Sequence, residues 1–425
     1  MRRAEWSLLQ AERVLDALGC DDPSADETLT RAWDDVLFNQ FHDILGGTCL
    51  EDANRTAAAE LETAGSMAES LLTRITRRAF REQAEPGHHK IIVYNPSSTP
   101  FCGLVRHEPW LDHDVNNIAY TLLDETGADV PFQRLCGSAV KDGSSAVLMA
   151  VSVPADGYRA IILKPESAEL RSVPPPPTAS SLSINTGAIA NDALTVRIDG
   201  DALNIGGWRL QLAIMDDPTD TWSHSDSNRF QGRHLRDIPF LQQPEIVEQG
   251  PLRAAWRTYG ECLRSRVWTR VMMSAEGSDL HLRLAVTWAQ VRQRLCLFIQ
   301  APEPIGSRID LVSGGPLTRA VDGLEYPLHG GLLVQTDTVP LGIVAPDVFS
   351  VSVTPEAVAL TLLRSPYTAH HDPATPDMLP DQPVCDQGAH AFDIVLKFNP
   401  KTETADVVQA VRTLAMAPLA WDLTG

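Results

Sequence analysis

The spacing of apolar residues changes once along this chain, at Pro86-Gly87, and that change orders its architecture. Before it, apolar positions recur every three or four residues, as one face of a helix requires. A first helix is predicted from near Arg3 to Leu18, with Gly19 as its stop. The turn Asp22-Pro23-Ser24 leads to a second helix from near Asp26. Its stripe is Leu29, Trp33, Leu37, Phe41 and Ile44, and Gly46-Gly47 ends it, since glycine tolerates a left-handed cap. Thr48-Cys49-Leu50-Glu51 fits the S/T-x-x-E capping box. A third, longer helix follows through Leu61, Ala64, Ala68, Leu71, Ile75 and Ala79. Residues 1–86 read as a three-helix bundle.

After Pro86-Gly87 the spacing becomes two, the period of a strand with one buried face. Lys90 to Pro96 reads as a strand ending in a turn. Two stretches read as hairpins: Ala119–Leu123 with Val130–Leu135, and Ser144–Val153 with Tyr158–Leu163. A small all-β domain is predicted over 87–165. Pro174 to Pro177 sit inside a Ser/Glu/Pro-rich stretch, so 166–181 reads as a semi-rigid linker. From 182 to 425 strands recur between turn residues, with clean alternation over Leu280–Val286 and Phe392–Phe398. The predicted class is multidomain, α then β. A three-helix bundle is followed by a small β domain and a large antiparallel β-sandwich, a supersandwich.

Charge narrows the partners. Asp+Glu number 55 against 35 Lys+Arg, a formal net charge of −20. Such a surface repels nucleic-acid phosphates and anionic lipid headgroups, and suits neutral small-molecule partners. The opening MRRAEWSLLQAERVLDAL is an amphipathic helix, not a leader peptide. No window approaches the ~20 apolar residues of a membrane span. The seven cysteines are scattered without a CxxC pair, as expected of reduced thiols in the cytoplasm.

One stretch stands out chemically: NQFHDILGGT, residues 39–48. On a continuous second helix His42 leaves the apolar stripe and shares a face with Asp35 and Asn39. Two readings stand. One is a solvated polar face, with the histidine at the negative end of the helix dipole. The other is a metal ligand or sugar-binding pair. Adjacent helical residues point about 100° apart, so His42 and Asp43 would not both sit easily on one metal. Trp33 could pass for a sugar-stacking ring, but its place on the stripe reads as core. Asp112-His113-Asp114 and His370-His371-Asp372 have the spacing for metal contacts; His224-Ser225-Asp226 lies in a loop, and His88-His89 reads as a solvated linker pair. No GxSxG elbow, P-loop or GxGxxG before a helix is present.

The stretch RAWDDVLFNQFHDILGGTCLEDA closely resembles the middle-domain motif of glycoside hydrolase family 38, the zinc-dependent α-mannosidases. VYNPSSTPFCGLV resembles the first strand of that family's β region. DTWSHSDSNRF resembles the opening of its large sandwich. LTLLRSPYTAHHDP with DQGAHAFDIVLKF resembles its C-terminal signature. The order agrees, so the resemblance spans nearly the whole chain.

The resemblance implies a retaining, zinc-dependent hydrolysis of terminal α-mannosides, with an α-mannoside oligosaccharide or glycoside as substrate. It implies one Zn2+ held by two histidines and two aspartates. His42 falls on one ligand position, and Asp43 on the neighbour that touches substrate hydroxyls. It also implies that a sandwich loop edges the sugar pocket, where Arg364 or Tyr367 would stand; the plain alternative is a surface charge with a rim aromatic. The other ligands and the nucleophile belong to an N-terminal β/α domain that opens with His-x-Asp after a strand; no His-x-Asp follows a strand near the start here, and His224-Ser225-Asp226 does not sit where that pattern would put it. The expectation is therefore an incomplete chain, inactive alone, whose catalytic β/α domain comes from elsewhere, as in a truncated or split gene. The exposed face around His42 would then pair with a partner chain or with a second copy. The alternative is a non-catalytic carbohydrate-binding or assembly module with the family fold. A third reading is an independent metal-dependent hydrolase using His42 and loop histidines.

Overall fold

The computed structural model describes residues 1–20, 22–81, 89–109, 120–137, 145–165, 181–217, 219–222, 233–238, 242–368 and 383–424. The proline run and the clusters around His113, His224 and His370, with His88, lie outside the described residues.

The chain opens with helices and continues as antiparallel sheets. α1 (Arg2–Leu18) ends at Gly19, whose φ of 57° is the left-handed cap conformation glycine adopts at no steric cost. α2 (Ala25–Phe38) is shorter than its stripe suggests. Its buried face is Ala25, Leu29, Ala32 and Val36, whereas Leu37 and Phe41 are exposed. The helix stops because Asn39 turns inward. Its amide donates to the Asp35 carbonyl and to Glu60 Oε2, both at 2.8 Å. A short polar side chain that bonds nearby backbone favours a helix end over its continuation. Phe41 is extended, at φ −60° and ψ 139°, and a separate single turn, α3 (His42–Leu45), follows. His42 is thus not on a face shared with Asp35 and Asn39. α4 (Glu51–Phe80) has Leu50 at its N-cap and no side-chain cap. The predicted capping box does not form, because the Thr48 hydroxyl donates to the Asp43 carboxylate at 2.8 Å instead. Trp33 is half-buried at the edge of the bundle core, its indole N–H donated to Glu12 at 2.7 Å.

The small β unit is two facing sheets. His89–Asn95, Gly157–Pro165, Tyr120–Leu123 and Leu419–Thr424 form one; Phe101–His107, Ser145–Val153 and Phe132–Cys136 form the other. Both stretches read as hairpins are corners instead, since in each the two strands lie in different sheets. Each sheet has one apolar face, and crossing between sheets buries Ile91, Val93 and Ile161 against Val147 and Met149. A second correction concerns the end of the chain. Leu419–Thr424, read as part of the large sandwich, pairs with His89–Asn95 and places Trp421 against the bundle core. His89 is not solvated: it begins a strand, and it and His107 both meet Asp422 Oδ1, at 3.2 and 2.9 Å.

The large unit stacks a ten-stranded sheet on a nine-stranded one, all pairs antiparallel. Inward positions such as Leu280, Leu282, Leu284, Val286 and Trp288 of the Asp279–Trp288 strand meet Trp208 and Trp256 in one continuous core. A helix that the strand-like patterning did not suggest, α5 (Thr404–Ala415), lies on the outward face of the nine-stranded sheet. It sits close because Gly331 and Gly342 have no Cβ; one there would come within 3.0 and 3.1 Å of Val407.

Candidate functional site

The site begins at the break between α2 and α4. With Asn39 holding the chain inward, the next residues are thrown outward, and α3 presents His42 to solvent. The imidazole is 80% exposed and lies beside the Phe41 ring, centroids 4.2 Å apart. Asp43 is more sheltered, at 35%, and its Oδ2 stands 3.6 Å from His42 Nε2. The two side-chain tips come near one another even though adjacent residues of a helical turn point about 100° apart. Asp43 is held from below: its Oδ1 accepts the Thr48 hydroxyl at 2.8 Å, and its carbonyl accepts the Thr48 N–H at 2.9 Å. Gly47, at φ 68°, makes the reversal that brings Thr48 back to Asp43. The two glycines do stop a helical turn, with Gly46 at the C-cap of α3 and Gly47 left-handed after it, while Thr48 clamps the aspartate instead of capping α4.

Loops of the large sandwich close on this turn. The Trp222 indole donates to the Thr48 carbonyl at 3.3 Å. One residue earlier, the Thr221 N–H donates to the Tyr367 carbonyl at 3.1 Å, and Asp220 bridges Tyr367 in parallel. Tyr367 in turn bridges Val384, and Cys385 N–H donates to the Pro366 carbonyl. So the structure brings Tyr367, Trp222 and the His42-Asp43 turn into one neighbourhood. Tyr367 is half-buried, and the Arg292 guanidinium lies 5.8 Å from its ring centre. The Cys49 thiol beside this turn is pushed up by burial, with the Asp43 charge adding to it. Trp222 was missed as a contributor. Its signal was present, as the one aromatic in DTWSHSD, but nothing local says that its N–H will reach a turn 174 residues away in sequence.

Arg364 is placed differently from either expectation. It ends the Ala357–Arg364 strand, but it is neither a surface charge nor a free pocket donor. Nε and Nη2 meet Asp217 Oδ2 and Oδ1 at 2.8 and 3.1 Å, and Nη2 also reaches Thr219 Oγ1 at 2.7 Å. Asp217 is fully buried and lies 3.7 Å from Arg294, which pairs with Glu325 at 3.1 Å. Burial pushes the Asp217 carboxyl up, but the Arg364 hydrogen bonds and both guanidinium charges outweigh it and hold it below its ordinary value. Burial likewise pulls Arg364 down, and Asp217 more than offsets it.

The family's zinc can be tested against these residues. One exposed imidazole is at hand, and its nearest carboxylate is already bound to Thr48. Among the described residues no group of three His, Cys, Asp or Glu converges as a metal site. Zinc takes about four ligands at about 2.0–2.3 Å. His42 and Asp43 do not fit a zinc ion by themselves, so no reaction step is assigned to a metal held by this chain alone.

Comparison with known proteins agrees with the fold. Residues 1–78 match the family model described as the alpha mannosidase middle domain. Two solved structures from Enterococcus faecalis share the fold. One, a protein in glycosyl hydrolase family 38, superposes with a TM-score of 0.75 at 15% identity, over 99% of this chain and 58% of that one. The other, an alpha-mannosidase from strain V583, gives 0.73 at 16% identity, over 99% and 56%. The chain thus spans a little over half the length of these structures. No curated protein matches it by sequence.

Proposed function

We propose, for a chain with the fold of the middle and C-terminal region of glycoside hydrolase family 38, that it is the non-catalytic part of a retaining, zinc-dependent α-mannosidase. In this reading His42 supplies one zinc ligand, and Asp43 accepts hydrogen bonds from hydroxyls of a terminal α-mannoside. The remaining ligands, the nucleophile and the acid come from a β/α domain outside this sequence. Thr48 is a positioning residue: it fixes the Asp43 carboxylate so that one oxygen stays turned toward the imidazole. Tyr367 borders the sugar pocket. Arg364 acts at one remove, by holding the Thr219–Trp222 segment against the His42 turn.

The observation that carries the reading is the company His42 keeps. Leu37, Phe41 and Leu45 are exposed around it, with Phe38 at 77% and Leu50 at 75%. An imidazole against one exposed aromatic ring, in a stretch with four more large exposed apolar side chains, marks a surface suited to being covered. The proposed cover is the β/α domain, on a partner chain or the same one. The free cysteines, seven in all, fit a reducing compartment, so a cytoplasmic setting belongs to the same proposal.

The test joins the chain to an N-terminal β/α domain taken from a glycoside hydrolase family 38 α-mannosidase. Zinc content and turnover of an aryl α-mannoside are then measured. The chain alone is expected to show neither, the joined protein both, and His42→Ala in the joined protein neither. Stoichiometric zinc with turnover by the chain alone overturns the division of labour. Failure of the joined protein favours the non-catalytic carbohydrate-binding or assembly module.

A further inference from the structure

The outward face of the nine-stranded sheet carries groups that neither the core nor the His42 turn uses. The Arg253–Cys262, Ser265–Ser274, Asp279–Trp288 and Gly388–Lys397 strands lie side by side there. Their register places Tyr259 opposite Trp268, Trp268 opposite Ala285, and Ala285 opposite Ala391. This row crosses four strands, about 15 Å at the usual strand spacing. It holds two aromatic rings and then two of the smallest side chains. Trp268 is 46% exposed; its ring centre is 4.5 Å from that of Tyr259, at 45°. At the far end Arg3 of α1 closes the row with a hydrogen bond to the Ala391 carbonyl at 3.2 Å.

Charged rows flank this floor two residues away along the strands, about 7 Å to either side. Arg257 pairs with Glu245 at 2.7 Å and stands 5.7 Å from the Trp268 ring centre. Arg283 faces Asp393 at 3.8 Å, and Arg266 faces Glu261 at 3.8 Å. Glu261 also accepts the Tyr259 hydroxyl. Arg270, between Arg257 and Arg283 in the register, pairs with the buried Glu248, which it shares with Arg253. On the rim Arg257, Arg266, Arg270 and Arg283 thus meet the carboxylates of Glu245, Glu261, Glu248 and Asp393, which leaves the rim close to neutral and rich in fixed donors and acceptors.

A lone exposed tryptophan means little on any protein. The arrangement here says more: a half-exposed indole backed by a tilted tyrosine ring, two alanines beside it, and pre-oriented polar pairs on the flanking rows. An aromatic ring beside polar tips suits a ligand that is apolar on one face and hydroxylated at its edges, which describes a pyranose. Balanced local charge, within a chain of net charge −20, disfavours a phosphate-bearing ligand. Two rings are also too little apolar area for the core of a stable protein interface. We infer that this trough is an accessory site for a neutral oligosaccharide, separate from the His42 turn. Its position suits such a role: Ala391 lies six residues along the chain from Cys385, which bonds Pro366 beside Tyr367. The bend at 385–386, with Asp386 at φ 53°, shortens that path below the roughly 20 Å of six extended residues, within reach of a short glycan. The choice of carbohydrate rests on the function proposed above; the trough does not depend on the zinc.

Titration of the purified chain with short neutral α-manno-oligosaccharides, followed by calorimetry, tests this. The chain should bind, Trp268→Ala should weaken binding about tenfold or more, and His42→Ala should leave it unchanged. Ala285→Glu, at an exposed position, should weaken it similarly by blocking the floor, and serves if Trp268→Ala fails to fold. Absence of binding, or equal binding by the native chain and both trough variants, overturns the inference. So does a drop in self-association of Trp268→Ala by sedimentation, which would make the face a contact between copies. The aryl mannoside test is too short in substrate to reach the trough, so the two proposals fail separately.

Discussion

The His42 turn and the Arg364 cluster lie on linked loops yet treat their charges in opposite ways. Around Arg364, four charged groups interlock below the surface: Arg364 with Asp217, Asp217 with Arg294, Arg294 with Glu325. Ser350 and Thr361 donate to Glu325 at 2.7 and 2.9 Å. Burial of an ion requires such a full set of partners. Around His42, the imidazole has one carboxylate at 3.6 Å and is otherwise open, among exposed leucines and phenylalanines. A closely paired buried cluster holds loops in place. An open imidazole on an apolar surface has bonding capacity left for something else. The pair separates a residue that builds a site from one that would act in it.

The contrast can be broken in order of effect. Asp217→Ala should be the most damaging, because it leaves Arg364 as an uncompensated charge and Arg294 with Glu325 alone; a loss of about 3–5 kcal/mol is expected. Denaturant midpoints at unchanged slope would measure it. A loss under about 1 kcal/mol would mean that the cluster is not the anchor described.

Acid should act through the same cluster. Asp217 and Glu325 are both held low. Burial opposes this in each, but Arg364 and Arg294 outweigh it for Asp217, and Arg294 with the Ser350 and Thr361 hydroxyls does so for Glu325. A carboxyl depressed by folding stabilises above its unfolded pKa, about 4, and that contribution is lost as pH falls through the folded value. Melting temperatures should therefore fall steeply below about pH 4, and Asp217→Asn should flatten that limb. An equally steep limb in the variant would place the acid sensitivity elsewhere.

Thr48→Val should cost about 1 kcal/mol, the worth of one hydrogen bond, and should lower activity of the joined enzyme by loosening Asp43. Rescue by Thr48→Ser would show that the hydroxyl, not the methyl, matters. The smallest stability effect is expected for His42→Ala, within about 0.5 kcal/mol in the chain alone, since an exposed side chain supports no core. A melting shift of several degrees in that variant would erase the contrast.

Much of the architecture was legible because it follows from spacing. Gly19 ends α1, the 3.6 period gives way to 2 after Pro86-Gly87, and Leu280 through Trp288 alternate inward and outward as read. What spacing could not show was where partners come from. The Leu29–Ile44 stripe was broken by Asn39, whose acceptor Glu60 is on another helix. The turns at Asp124–Gly127 and Pro154–Gly157 were legible as turns, but a turn signal does not say whether the next strand stays in the sheet or crosses to the facing one. α5 was missed because its buried stripe, Val407 and Val411, is β-branched and short, the composition of a strand.

At the site, the amino-acid sequence alone determined that an imidazole and a carboxylate stand next to each other just before two glycines able to turn the chain back. Those are local facts, set by propensity and by glycine's access to positive φ. The helix break ahead of the histidine was not legible. Only the tertiary structure decided that Thr48 clamps Asp43, that Trp222 and Tyr367 arrive from the large sandwich, and that Arg364 is occupied by Asp217. Each of these is a bond between residues that the one-dimensional pattern treats alike with many others. Which donor meets which acceptor depends on how sheets and helices pack, and packing is a property of the whole chain.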